Sequence, residues 1–425
     1  MTAAMFVSML IFFAFSIPIA VSIGFASVTG IQIFGGVPML VVPKEIFSAI
    51  DKFALGAIPF FILAGNLMET GGISNRLVNF AKSIVGGLQG GLGMTCVVTC
   101  MIFAAVSGSG PATTFAIGAI LIPALVKHGY PVNFAAALQA TSAELGVIIP
   151  PSIPMIIYGI SAEVNIGELF IAGFGPGLLI GGGLMFFVWC YCKIKGYGKN
   201  DHLGRMRFAQ AVQEAAFALM MPVIILGGIY GGVFTPTEAA VVAVFYALIV
   251  GMFIYREIGL KDLFPILRKS VLSSAMIMFI IANAGMFSYL IARAGVPEAI
   301  GEFLRQYLSS GASFLVGVNI ALFLIGMFIE TSSSIIVLAP ILAPVAINFG
   351  IDPVHFGLIM VVNLALGMIT PPFGVNLFAA CTVARISVDN IVRELLCFVC
   401  VVVSCLMLIT YFPPISLFLR DLVYR

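Results

Sequence analysis

The chain has 425 residues, of which 61% are apolar and only 9% charged, with 20 Lys and Arg against 18 Asp and Glu. A soluble domain carries about 25% charged residues, and a chain this poor in charge cannot cover its own surface in water. Cytosolic enzymes, nucleic-acid binders and disordered chains are excluded; a net charge of +2 without a basic tract leaves no phosphate-binding footprint.

What remains is an all-α polytopic membrane protein. Its apolar runs are continuous rather than alternating, which excludes a transmembrane β-barrel. At about 20 residues per span the length allows roughly ten to fourteen crossings. The first residues, MTAAMFVSML, carry no basic group ahead of the apolar stretch and no cleavage site. They read as a first membrane helix rather than a signal peptide. The side on which the N-terminus lies depends on whether the stretch 30–43 crosses, and the sequence leaves that open. Residues 1–60 carry few polar breaks and read as scaffold helices.

A first transport unit is expected over 61–192. Within it an apolar run meets the small polar cluster Ser107-Gly-Ser-Gly-Pro-Ala-Thr113, and a second run ends near Pro123 and Gly129. A third is broken at Gly146-Val-Ile-Ile-Pro-Pro151. The basic connection 193–207 follows, then apolar runs at 215–231 and 237–255 around a Gly-Gly-Val-Phe-Thr-Pro turn. A second basic connection holds Arg256, Lys261, Arg268 and Lys269. Two crossings between two basic connections put both connections in the cytoplasm. Residues 193–290 therefore read as a cytoplasmic loop followed by scaffold helices. Pro222, Gly227 and Gly228 read as helix kinks. Thr235-Pro-Thr-Glu238 reads as a turn and helix start. The acidic segment 161–168 and the charge-balanced connection 293–311 fit the outside.

Residues 291–425 are expected to hold a second transport unit and a C-terminal helix, and that unit repeats the first. Gly146-Val-Ile-Ile-Pro-Pro151 corresponds to Gly367-Met-Ile-Thr-Pro-Pro372 at an offset of 221 residues. The same offset takes Leu121-Ile-Pro123 to Leu342-Ala-Pro344, Gly129 to Gly350, and the Ser107 cluster to Glu330-Thr-Ser-Ser-Ser334. Repeats covering about 95–175 and 316–396 carry the same order of elements. Hydrocarbon supplies no water for freed N–H and C=O groups, so irregular backbone at membrane depth must line a cavity or be buried in protein. A Pro-Pro pair removes two donors and bends the preceding residues out of helical geometry. Carbonyls freed at Ile148, Ile149, Ile369 and Thr370 beside hydroxyls suit a dehydrated Na⁺. Duplicated Pro/Gly-interrupted segments point to a transporter's midplane site. Two re-entrant hairpins are expected, at about 88–128 and 312–349, each with its tip facing a broken helix, at about 133–161 and 356–384.

Those same motifs, together with Phe234-Thr-Pro-Thr-Glu-Ala-Ala240 and Gly367-Met-Ile-Thr-Pro-Pro-Phe-Gly-Val-Asn376, resemble the large membrane subunit of tripartite ATP-independent periplasmic (TRAP) transporters. The resemblance runs over nearly the whole chain. It implies an elevator-type ion-transporter fold with inverted repeats, in the bacterial inner membrane. It also implies Na⁺-driven import of an organic acid of the sialic acid or C4-dicarboxylate class. The implied partners are a periplasmic substrate-binding protein and a small four-helix membrane subunit. Carried onto this chain, the first sodium site falls on Ser107, Gly146, Ile149 and Pro151. The second falls on Thr331, Ser332, Ser333, Gly367, Thr370 and Pro372. Ala104 stands where some members carry a serine, so the first site lacks that side-chain oxygen. Substrate candidates are Ser109, Ser152, Glu330, Asn376 and Arg385. Glu330 reads either as a substrate contact or as a structural acid, and Arg385 as a counter-charge or an interfacial residue. Ser152 and Asn376 have local caps as their plainer reading, and Glu144 reads as a packing residue.

Other classes fit less well. A symporter or antiporter working without a binding protein shares the same features. A membrane enzyme needs nucleophile–base pairs or metal ligands, and the three histidines, 128, 202 and 355, form no HExxH pattern. No Walker A motif makes the chain an ATPase. The eight cysteines mostly lie in apolar runs as small packing residues.

Overall fold

A computed structural model describes residues 2–34, 36–199, 207–307 and 310–424, and all regular structure within them is helical. Residues 200–206 of the first basic connection lie outside the described residues.

The helices form two groups. One is a frame built on the 34-residue helix Leu260–Arg293, whose length at 1.5 Å per residue is about 50 Å and exceeds the hydrocarbon core. Ile19–Phe34, Val41–Ile50 and Ala57–Thr70 pack along it. Ala57–Thr70 also lies on Pro236–Ile249, which in turn packs on Phe208–Tyr230. The other group surrounds the hairpins. Gly91–Ser107 and Gly110–Lys127 make the first hairpin, Gly311–Gly326 and Thr331–Asn348 the second. Val132–Ala143, Leu145–Ile148 and Ile153–Ser161 make the first broken helix, bent by 42° at its break. Pro353–Gly367 and Val375–Ala384 make the second. Ile166–Lys195 and Val388–Tyr411 clasp them from outside.

Small residues make this packing possible. Ala135, Ala136, Ala137 and Ala140 of the first broken helix are wholly buried, so neighbouring backbones approach closely. Asn363 in the second broken helix donates to Asn319 Oδ1 at 2.7 Å, and Asn319 donates to Thr410 Oγ1 at 3.2 Å. This polar chain satisfies side chains that hydrocarbon would otherwise strand.

Three expectations change, and one open point is addressed. Eight helices among the described residues are long and apolar enough to span, or nine with the bent pair, against the ten to fourteen crossings expected from length. The difference lies in the hairpin arms and half-helices, several of which run only 10–17 residues. The first apolar stretch is not one span: it stops at Ala14 and restarts at Ile19, after Pro18. For the stretch 30–43, which the sequence leaves open, the helix Ile19–Phe34 ends within it, and the amphipathic helix Val41–Ile50 that follows buries none of its residues. The boundary expected at residue 60 falls inside Ala57–Thr70, whose packing places it with the frame.

With the basic connections in the cytoplasm, the first hairpin enters from the cytoplasmic side and the second from the periplasmic side. The two repeats are thus inverted. Thr235–Glu238 forms a full capping box: Glu238 accepts from the Thr235 N–H at 2.8 Å, and Thr235 Oγ1 accepts from the Glu238 N–H at 3.3 Å.

Candidate functional site

The first hairpin turns through Gly108 at φ +61°, and Ser109 caps the second arm, accepting from the Ala112 N–H at 3.5 Å. Ser107 Oγ lies 3.0 Å from Thr113 Oγ1, which donates onward to Ser109 O at 2.8 Å. Opposite this tip the first broken helix stops at Ile148, passes through the cis bond between Pro150 and Pro151, and restarts at Ile153. Ser152 manages the break. Its hydroxyl donates to Val147 O at 2.6 Å and accepts from the Met155 N–H at 3.3 Å.

Tip and break touch through backbone. A Cβ on Gly146 would stand 2.7 Å from both Ser109 O and Thr113 Oγ1. One on Gly108 would stand 2.7 Å from Pro151 O, and Gly108 O accepts from the Ile153 N–H at 3.5 Å. Three oxygens gather at the tip, Ser107 Oγ, Thr113 Oγ1 and Ser109 O, and Pro151 O lies against Gly108 beside them. They are hard, neutral ligands of the kind alkali cations take from unwound helices. Among the described residues no group of three His, Cys, Asp or Glu stands together as a site for a softer metal. Ile149 is at the break with its N–H bonded to Leu145 O at 2.9 Å, which leaves its carbonyl as the group available for a ligand.

The second tip repeats the plan with other residues. Gly326 and Gly367 are in direct backbone contact. Phe373 N–H donates to Met327 O at 3.1 Å, and Thr331 Oγ1 donates to Leu364 O at 3.2 Å. Thr370 Oγ1 donates to Leu366 O at 2.8 Å, just before the cis bond between Pro371 and Pro372. Glu330 caps the second arm, accepting from Ser332 Oγ at 2.9 Å, the Ser333 N–H at 3.1 Å and Ser333 Oγ at 3.4 Å. A carboxylate suits that position, because it meets the positive end of the helix dipole. The repeat-related pair Ser109 and Glu330 thus share one job as caps. The hydroxyls of Ser332 and Ser333 are engaged by Glu330, whereas the buried Ser334 Oγ has no partner.

Asn376 joins the halves. It is fully buried in the restarting helix of the second repeat, and a Cβ on Gly110 of the first tip would come within 2.8 Å of its Nδ2. Neither of its amide atoms has a hydrogen-bond partner. It is therefore not a cap, unlike Ser152. Arg385 does not join this group. It is exposed, ends Val375–Ala384 with φ +56°, and stands about 15 Å along that helix from the break. Glu144 is fully buried with both carboxylate oxygens unpartnered, near the Cys405 thiol.

The two tips face different surroundings. Below the first lies a cavity of about 430 Å³, lined by Ser107 and Ser109 and, from the frame, by Asn66, Glu69, Lys269 and Ser273. Beside the second lies an apolar one of about 670 Å³, lined by Leu10, Phe13, Ile17, Leu324, Phe328 and Phe373. The sequence reading missed Thr113 as a ligand candidate, and it missed Asn66, Glu69 and Lys269. Asn66 had a signal, being one amide in the apolar run 57–68; the charged pair had none short of the fold.

Inverted hairpins docked on broken helices define a class of secondary transporters. The comparisons are specific. Residues 6–415 match the family described as "Tripartite ATP-independent periplasmic transporter, DctM component". The chain belongs to that family. It is 41% identical over 420 residues to the "C4-dicarboxylate TRAP transporter large permease protein DctM" of Rhodobacter capsulatus, covering 96% of each chain. It is 42% identical over 409 residues to the "Isethionate TRAP transporter permease protein DctMQ" of Oleidesulfovibrio alaskensis, covering 96% of this chain but 64% of that longer one. The fold also matches the crystal structure of the Alcanivorax borkumensis YdaH transporter, with TM-score 0.65, 14% identity and 88% of each chain covered. A multi-pass protein of the bacterial inner membrane accords with that membership and with the span-length helices.

Proposed function

We propose that the chain is the membrane-spanning large subunit of a Na⁺-coupled importer of small organic anions, with C4-dicarboxylates as its first substrate class. The observation that carries this reading is the docking of each hairpin tip onto a Pro-Pro break through glycine contacts. That arrangement brings hydroxyl and carbonyl oxygens together twice, once in each inverted repeat. Na⁺ bound at Ser107, Thr113 and the carbonyls of Ser109, Ile149 and Pro151 would clamp the first tip to its break. Thr331, Thr370 and the carbonyls around Gly367 would do the same at the second. Clamped tips complete an anion site between the repeats, where Ser109 and Asn376 offer polar groups, so ion and substrate bind with positive coupling. The hairpin group then slides against the frame, exposing the site alternately to each side. A binding protein delivers the anion from the periplasm, and a small membrane subunit packs on the frame.

Family membership and the dicarboxylate and isethionate relatives support an anion of this size. The test is uptake of labelled succinate into proteoliposomes that hold the chain with its small subunit, with the matching binding protein outside. Uptake that needs an inward Na⁺ gradient supports the reading. Uptake that persists without Na⁺ and collapses with the pH gradient would sink the sodium assignment. The second reading, a self-sufficient symporter, is favoured if the binding protein does not stimulate uptake.

A further inference from the structure

The cavity below the first tip holds a charged pair that neither ion site uses. Lys269 Nζ lies 2.9 Å from Glu69 Oε2, and both residues line the cavity on its frame side. Lys269 is the sole cation among the described residues that line it. Its side chain keeps 59% of its surface exposed and that of Glu69 keeps 26%. Lys269 lies in the cytoplasmic third of Leu260–Arg293, and Glu69 lies at the matching end of Ala57–Thr70.

This pair is not what ties the two helices together. Asn66 Nδ2 donates to Ser270 Oγ at 2.8 Å, in a buried contact one helical turn deeper along Ala57–Thr70, and that Ser270 hydroxyl donates to Ile266 O at 2.8 Å. The frame keeps its register without the ion pair, and an exposed pair adds little to stability. A little-needed pair at the mouth of a cavity has another use. A carboxylate leaving the first tip enters a space in which Lys269 is the one cation among the described lining residues, and so the one group there that can pair with it. Glu69 presents to Lys269 the same chemical group that the substrate carries. Exchange of one carboxylate for the other keeps the ammonium paired throughout, and the flexible lysine stem allows it to follow.

We propose that Lys269 and Glu69 form an exchangeable release gate. On the cytoplasmic side a substrate carboxylate displaces Glu69 from Lys269, and return of Glu69 expels the substrate. Glu69 thereby acts as a built-in competitor that keeps affinity low on the inside and favours net import. The inference rests on the organic-anion reading above.

The experiment uses the reconstituted complex with binding protein outside, so that only molecules with their periplasmic face outward respond. Labelled succinate is supplied outside, unlabelled succinate is varied inside, and the internal concentration giving half its effect on uptake is measured. Glu69→Gln removes the competitor and should lower that concentration about tenfold, and Lys269→Gln should raise it about tenfold, a shift of ~1.4 kcal/mol in each case. Lys269→Arg should restore a value near wild type. The half-saturating concentrations of external Na⁺ and binding protein should stay the same in all three. Shifts of the same sign in the two Gln variants, or no shift in either, would overturn the gate and leave the pair a surface contact. The wild-type protein is measured first: absence of any succinate uptake there overturns the transport reading itself, separately from the gate.

Discussion

At the scale of single residues, the site is made by side chains that are missing as much as by those present. Gly108 and Gly146 let a hairpin tip and a helix break meet backbone to backbone, and Gly108 also holds a left-handed φ of +61°. Gly108→Ala sets a Cβ 2.7 Å from Pro151 O at that φ, and should cost roughly 1–3 kcal/mol. A fall in the thermal unfolding midpoint of the purified protein, with loss of uptake, checks it. Thr113 is the residue whose hydroxyl links Ser107 to Ser109 O. Thr113→Val keeps the shape and removes the ligand, so half-saturating Na⁺ should rise about tenfold, or ~1.4 kcal/mol, while Thr113→Ser stays near wild type. An unchanged Na⁺ dependence in the Val variant would remove Thr113 from the ion site. Ser107 and Ser109 were legible because they interrupt an apolar run. Thr113 was not, because a threonine inside a helix ordinarily returns its proton to the preceding turn, and only the fold shows where that carbonyl is aimed.

Among elements, the 221-residue offset was legible and carried the plan: two hairpins, two breaks, and caps at matching positions. It did not carry the details, because the same backbone device is held by different side chains. Ser109 and Glu330 cap equivalent arms, and Pro131 and Asp352 precede equivalent helices. The surface helix Pro414–Tyr424 had no counterpart to reveal it. Its Arg420, 3% exposed, donates to Asp352 Oδ2 at 2.7 Å and to Asp421 Oδ1 at 2.6 Å, with Glu168 Oε2 at 3.9 Å. It straps the periplasmic starts of two helices. Partial burial pushes the Asp352 carboxyl up, but the Arg420 hydrogen bond, the backbone N–H groups of His355 and Val354 and the Arg420 charge outweigh it. The carboxyl therefore sits below its ordinary range. A carboxyl depressed by folding stabilises fully above its unfolded value and loses that contribution as pH falls through its folded one. Thermal stability should thus drop below about pH 4, the ordinary aspartate range. Arg420→Gln should cost roughly 2 kcal/mol at neutral pH and flatten that acid limb. A midpoint that falls equally at every pH would refute the link.

Across the whole molecule, charge arithmetic gave the membrane class, and the basic connections gave the orientation. Arg256 and Glu163 should then lie on opposite sides. In a background stripped of its eight cysteines, a membrane-impermeant maleimide should label Glu163→Cys in spheroplasts and reach Arg256→Cys only after lysis. Reversed labelling would invert every assignment of side made above. The length estimate of ten to fourteen crossings failed for a physical reason. A re-entrant hairpin uses two apolar arms and returns to the side it came from, so it consumes span-like residues without a crossing, and composition counts residues, not paths. The grouping of helices was equally hidden: Ala57–Thr70 is as apolar as its neighbours, and only packing assigns it to the frame.

The unlike cavities at the two tips set a chronology. In this conformation a cavity carrying Asn66, Glu69 and Lys269 meets the first tip, and the cavity beside the second is lined mainly by apolar side chains. A hydrated species can step away from Ser107 and Ser109 into a space that will accept it. One held at the second tip would meet Phe328 and Phe373, apolar rings that offer it nothing in exchange for its ligands. With ions and substrate at the two tips as proposed, discharge to the cytoplasm would run in sequence, cargo at the first tip departing early and cargo at the second departing last. A transporter built from two nearly equivalent halves would empty like a queue, its symmetry of construction giving way to an order in time.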